Sequence, residues 1–104
     1  MSIVTVYALF ADHDEAQRIG RAMIERRLAA CINVLQPCQS IYRWDDKIEA
    51  ATEIPALFKT TLDQSDALVT AIAELHSYDV PAIVVWPIAK LSEPYAAWVE
   101  NSVG

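Results

Sequence analysis

Hydrophobic and polar positions along the chain fall into two alternating patterns, and each predicts a different kind of element. Ile3-Val4-Thr5-Val6-Tyr7-Ala8-Leu9-Phe10 is an almost unbroken apolar run of β-branched and aromatic residues, as expected of a strand covered on both faces. Asp12 or His13 then opens a segment with Asp14 and Glu15 in its first turn and Ala16, Ile19 and Met23 at helical spacing, which predicts a first helix ending near Arg27. Gly20 falls inside it, at a cost of roughly 1 kcal/mol relative to Ala unless close packing compensates. The chain turns apolar again from Leu28 to Val34, meets Pro37, and resumes at Ser40-Ile41-Tyr42-Arg43-Trp44. A long second strand with a bulge near Pro37 is expected.

After the polar turn Asp45-Asp46-Lys47, Ile48 to Thr60 reads as a third strand, and Pro55, which cannot donate a ladder hydrogen bond, predicts an edge or a bulge beside it. Asp63 and Asp66 mark an acidic start to a second helix, with Leu68, Ile72 and Leu75 as its apolar stripe and its end near His76. Val80 to Pro87 is the fourth strand. A last helix begins at Ser92 or Glu93, carries Pro94 in its first turn, and places Tyr95, Trp98 and Val99 on one face. The order βαββαβ plus a terminal helix predicts a ferredoxin-like α+β sandwich, in which one antiparallel four-stranded sheet carries two helices on one face. Its other face needs a cover. The second and third strands exceed the usual ~5–6 residues, so their hairpin is expected to project with unpaired backbone groups, and pairing between subunits satisfies them.

Composition narrows the class. At 104 residues and 54% hydrophobic, the chain builds one core without staples, so a single domain over residues 1–104 is expected. A charged fraction of 21% with no Ser/Gly/Pro-rich tract argues against disorder. The formal charge of −6, with no basic run among the eight Lys and Arg residues, repels phosphate backbones, so no nucleic-acid partner is expected. Cys31 and Cys38 lie on one extended stretch, too far apart to bridge without a sharp reversal, and read as free thiols. The first apolar run lacks a basic n-region and a signal cleavage site, and no segment reaches membrane-spanning length. A cytoplasmic protein with no membrane partner is expected. No Ser-His-Asp set, nucleophile elbow or metal-protease motif occurs, and two glycines give little means to build a phosphate loop. No enzyme is expected.

Five segments carry a specific resemblance: Glu25-Arg26-Arg27-Leu28-Ala29-Ala30-Cys31-Ile32-Asn33-Val34, Ser40-Ile41-Tyr42-Arg43-Trp44, Leu57-Phe58-Lys59-Thr60-Thr61, Glu74-Leu75-His76-Ser77-Tyr78-Asp79-Val80-Pro81 and Tyr95-Ala96-Ala97-Trp98. In this order they resemble the CutA divalent-cation-tolerance family. The resemblance implies a homotrimer of ferredoxin-like subunits, related in architecture to PII signalling proteins, whose long second and third strands build intersubunit sheets. It also implies a link to tolerance of divalent metals, copper especially, and no reaction. In metal-binding relatives copper is associated with a Cys in the first strand and a His pair at the end of the second helix. This sequence has Ala8 and Leu75 at the matching positions, so only His76 of that set remains.

Candidate chemistry rests on few residues. An imidazole such as His76 ligates copper or zinc well, but a His at a helix end equally serves the last carbonyls. Cys31 is a soft ligand once deprotonated, or a small buried hydrophobe. Lys59 either reaches an ion pair at the sheet edge or serves an anion in an intersubunit cleft. Glu49 and Glu53 share a strand face and can pair with Lys59, with Arg43 across the hairpin, or with a cation. Trp44, Tyr78, Glu49, Asp79 and Lys59 are the expected cleft residues, and Trp44, Trp98 and Tyr42 the expected interface anchors. Two functions follow: a metal-linked binding module, or a PII-like trimer that senses a small anion or a partner protein.

Overall fold

Strand β4 (Lys47–Thr61), fifteen residues long, is the spine of the sheet in this computed structural model, which describes residues 2–104. Strand β1 (Ile3–Phe10) pairs antiparallel with its second half, from Ile3 opposite Thr61 to Phe10 opposite Ile54. On the other side of β4 lie β2 (Cys31–Val34) and β3 (Cys38–Trp44), and β5 (Ile83–Pro87) closes the far edge against β1. The order is β2-β4-β1-β5, with β3 continuing the β2 side.

The long second strand is thus realised as two segments, and the expected bulge lies between them. Val34 stands opposite Ala56 and Cys38 opposite Glu53, so residues 35–37 oppose only residues 54 and 55. Pro55 explains the position. Its carbonyl accepts from the Leu35 N–H at 2.9 Å, but a residue that accepts across an antiparallel pair should also donate there, and Pro55 has no N–H. An extra residue on the partner absorbs the lost bond. Beyond Phe10 the strand β4 has no β1 neighbour, so residues 47–53 and β3 leave the sheet as a free hairpin, and the molecule measures 45 × 26 × 23 Å. Asp45 and Asp46 close it with φ of 51° and 60°, the left-handed pair that a two-residue type I′ turn requires and that Asp tolerates better than most residues.

Helix α1 (His13–Glu25) is capped by Asp12, whose Oδ1 accepts the Glu15 N–H at 2.8 Å. Helix α2 (Leu62–Leu75) carries Asp63 in its first turn and is capped by Thr61, whose hydroxyl accepts the Gln64 N–H at 3.3 Å. Both helices lie on the face formed by Val6, Ala8 and Phe10 of β1 and Ile54, Ala56 and Phe58 of β4, and they bury Ala16, Ile19, Met23, Leu68, Ala71 and Ile72 against it. Full burial of each large side chain there, Phe10 and Phe58 included, contributes about 1.5–3 kcal/mol. The stripe of α2 ends earlier than its pattern predicts, because Leu75 is 37% exposed. Likewise β5 begins at Ile83 and not at Val80, because residues 80–82 form the approach on which the Leu9 N–H meets the Ala82 carbonyl at 3.2 Å.

The opposite sheet face is covered only at one end. Helix α3 (Glu93–Ser102), with Pro94 in its first turn, buries Val99 against Ile3 and Ala30. Arg27, at φ 60° just past α1, ties that helix down by donating to the carbonyls of Asn101 at 2.9 Å and Gly104 at 3.2 Å. Gly20 has its reason in the other layer, where a Cβ would lie 2.6 Å from Ile32 Cδ1. Gly20→Ala therefore lowers stability by about 1–3 kcal/mol in chemical denaturation despite the better helix propensity of Ala, and adding Ile32→Val, which removes that carbon, recovers most of the loss.

Candidate functional site

The chain leaving α2 crosses the open end of the sheet and faces the base of the free hairpin, and the space between them is a cleft of about 600 Å³. What holds this chain segment in place is His76. Its Nε2 lies 2.8 Å from the Leu9 carbonyl and its Nδ1 lies 3.0 Å from the Tyr78 amide nitrogen. A carbonyl only accepts and an amide N–H only donates, so the geometry specifies the Nε2–H tautomer with both ring nitrogens occupied. The ring stacks on Phe10 with centroids 5.2 Å apart, and its side chain is fully enclosed. His76 is a buried pin between β1 and the cleft segment, and no lone pair of it faces an open space.

Glu15 completes the pin. The Ala11 N–H donates to its Oε1 at 3.0 Å and the Ser77 N–H to its Oε2 at 2.8 Å. Burial alone would raise its pKa, but the hydrogen bonds from Ala11 and Ser77, helped by His76 nearby, outweigh it and hold the carboxyl below its ordinary value. The capping-box spacing Asp12-x-x-Glu15 carried this signal in the sequence.

Four of the five expected cleft residues meet in the cleft: Trp44, Glu49, Tyr78 and Asp79. Tyr42, opposite Glu49 on the hairpin, lines it as well. Lys59 does not. It sits on the closed part of the sheet, opposite Cys31 on β2 and Thr5 on β1, past the bulge. Cys31 Sγ in turn lies 3.4 Å from the Tyr95 hydroxyl of α3, whose pKa burial and this thiol push up to about 12. Trp98 stacks on Tyr95 at 5.7 Å, far from the cleft lining.

Glu53, which the strand pattern offers to Lys59, to Arg43 or to a cation, is the most enclosed polar group of the cleft, with 6% of its surface exposed. Burial, followed by the Glu53 carboxylate close by, pushes the Tyr78 hydroxyl up to about 12, so this phenol stays protonated beside that carboxylate. Burial and the charges of Cys38 and Glu53 raise Tyr7 next door as well. The cleft wall is therefore acidic and aromatic. Among the described residues, no three His, Cys, Asp or Glu side chains converge as metal ligands would. Both cysteines are free, and among the described residues no helix is long and apolar enough to cross a membrane.

Comparison with known proteins adds to this geometry. The family model described as CutA1 divalent ion tolerance protein matches residues 4–102. A Thermococcus kodakarensis protein named divalent-cation tolerance protein CutA is 36% identical over 99 residues, covering 95% of this chain and 94% of its own. A Danio rerio protein CutA homolog is 39% identical over 88 residues, 85% of this chain but only 59% of that longer one. The solved structure of the divalent cation tolerance protein (Cut A1) from Thermus thermophilus is 34% identical and superposes with a TM-score of 0.94, covering 98% of this chain and 99% of its own.

The Glu15 carboxylate predicts an acid limb in stability. A folded-state pKa below the unfolded one means that Glu15 stabilises the fold above the unfolded carboxylate pKa and that this contribution is lost as pH falls through the folded one. Urea titrations from neutral to acidic pH should therefore show Glu15→Gln less stable by about 1–3 kcal/mol at pH 7, with the gap to wild type closing towards low pH.

Proposed function

The chain belongs to the CutA1 divalent ion tolerance family, and from that premise we propose that it is a divalent-cation tolerance protein, a homotrimeric binding or signalling module that takes its ligand in the hairpin cleft without catalysis. The lining of the cleft carries the reading: Glu49, Glu53 and Asp79 stand beside Tyr42, Trp44 and Tyr78, with no Lys or Arg among the lining residues. A cavity of about 600 Å³ falls in the range of small-ligand sites, and its charge concentrates cations. The anion-sensing alternative depends on Lys59, which lies on the closed sheet beyond the bulge, so the cleft offers an anion no charged partner. A divalent ion such as copper or zinc meets carboxylates here instead.

Support for the trimer comes from surface that one chain leaves bare. Ile41 and Ile48 share a face of the free hairpin and are 71% and 74% exposed. Trp86 stands on the sheet face that α3 leaves open, next to Tyr7, on which it stacks at 4.9 Å. The outer edge of β3 has no strand beside it among the described residues. Three copies that pair these edges bury that surface. The free cysteines fit a reducing cytoplasm.

Native mass spectrometry should give a species near three times the 11.6 kDa chain mass, and a monomer at micromolar concentration would overturn the assembly. In calorimetry, Cu(II) or Zn(II) should bind the trimer saturably but weakly, more weakly still in the Glu49→Gln, Glu53→Gln double variant, and equally well in Cys31→Ser. A loss of binding confined to Cys31→Ser would move the metal away from the cleft.

A further inference from the structure

We propose that the cleft selects a small organic cation, a protonated amine or a quaternary ammonium group on a carbon skeleton, over a bare metal ion. The proposal rests on the reading that the hairpin cleft is the ligand site and names what that site recognises. A bare divalent ion demands donors that converge to about 2.0–2.6 Å on one point. Glu49, Glu53 and Asp79 all line the cleft, yet no three ligating side chains of the described residues come together. Carboxylates spread around about 600 Å³ suit a larger ion that touches them one at a time.

The rest of the wall matches the rest of such a ligand. Trp44, Tyr42 and Tyr78 bring aromatic groups to the same space, and an ammonium group over an indole or phenol face is attracted by the ring quadrupole while its alkyl groups shed water. Leu9, Val80 and Ala82 add apolar surface for a carbon skeleton. Glu53 supplies the recognition charge. It is buried, and the Lys and Arg side chains leave it unpaired: the one ion pair they make among the described residues is Arg18 with Asp14. The Tyr78 hydroxyl stands close to it, and a carboxylate accepts at up to about four positions. A buried carboxylate is stabilised by a cation brought to it. Asp79 and Glu49, both exposed, stand at the mouth, where they steer a cation inward and make its capture salt-dependent.

The test uses the intact protein and four probes: choline, its uncharged tert-butyl isostere, spermidine and agmatine. Thermal shift and calorimetry should find that at least one of the three cations binds saturably at one per chain, more weakly at high salt, while the isostere does not bind. Glu53→Gln and Trp44→Leu should each weaken that cation by about tenfold. Trp44 lies on the hairpin that the proposed trimer pairs, so Asp79→Asn, an exposed residue of the segment after α2 and off the hairpin, supplies a third variant that should also weaken the cation, and native mass spectrometry checks that assembly is unchanged in each. The proposal is overturned if none of the three cations binds, if the isostere binds as well as choline, or if Trp44→Leu retains full affinity. A trimer that binds Cu(II) or Zn(II) but no organic cation leaves the cleft reading standing and removes this one, whereas a monomer that binds the cations removes the trimer and leaves this one.

Discussion

One strand serves two structures. The half of β4 from Ile54 to Thr61 is the centre of the sheet, with β1 on one side and β2 on the other, while residues 47–53 have only β3 beside them. The junction falls at Pro55, where the ladder to the second strand must miss a donor. Because that lost bond is absorbed by residues 35–37, the hairpin continues from the sheet without ending β4. The hairpin beyond this junction supplies Tyr42, Trp44, Glu49 and Glu53 to the cleft. The closed half carries the helices and the core.

The cleft is completed from the opposite direction by a chain segment that has no regular structure of its own. Irregular backbone at a sheet end is floppy unless its polar groups are paired, and here two buried side chains do the pairing. His76 bridges Leu9 and Tyr78, and Glu15 bridges Ala11 and Ser77. Both bridges link β1 or the start of α1 to the segment after α2, so the position of Tyr78 is set by the first layer of the core. The residue with the strongest claim to ligate a metal by type is thereby spent on architecture. What remains for recognition is a carboxylate, a phenol and an indole, groups that suit a diffuse cation better than a point charge.

Local rules carried much of this protein. The apolar runs, the caps around Asp12 and Ser92, the bulge implied by two prolines and the polar turn at Asp45-Asp46 each depend on residues within a few positions of one another, so the alternation of patterns was enough to give the element order and the sandwich. Where a local rule misled, a neighbour in space had intervened. The apolar run of the fourth strand begins at Val80, but only from Ile83 does it lie beside β1. Leu75 kept the helical period, yet the core beneath it had ended. Lys59 shares the strand with Glu49 and Glu53 but lies opposite Thr5 and Cys31, outside the cleft that one chain forms.

By itself, then, the sequence determined the elements, their order, the free hairpin and the family to which five of its segments belong. Only the tertiary structure decided what His76, Glu15 and Glu53 do. The reason is separation along the chain. His76 meets Leu9 across 67 positions and Glu15 meets Ser77 across 62, and no periodicity within one element records such a pairing. Burial accounts for the rest: a glutamate in a strand reads the same whether its carboxylate stands in water or is enclosed beside a phenol, and only the enclosing walls make Glu53 a buried wall of the cleft.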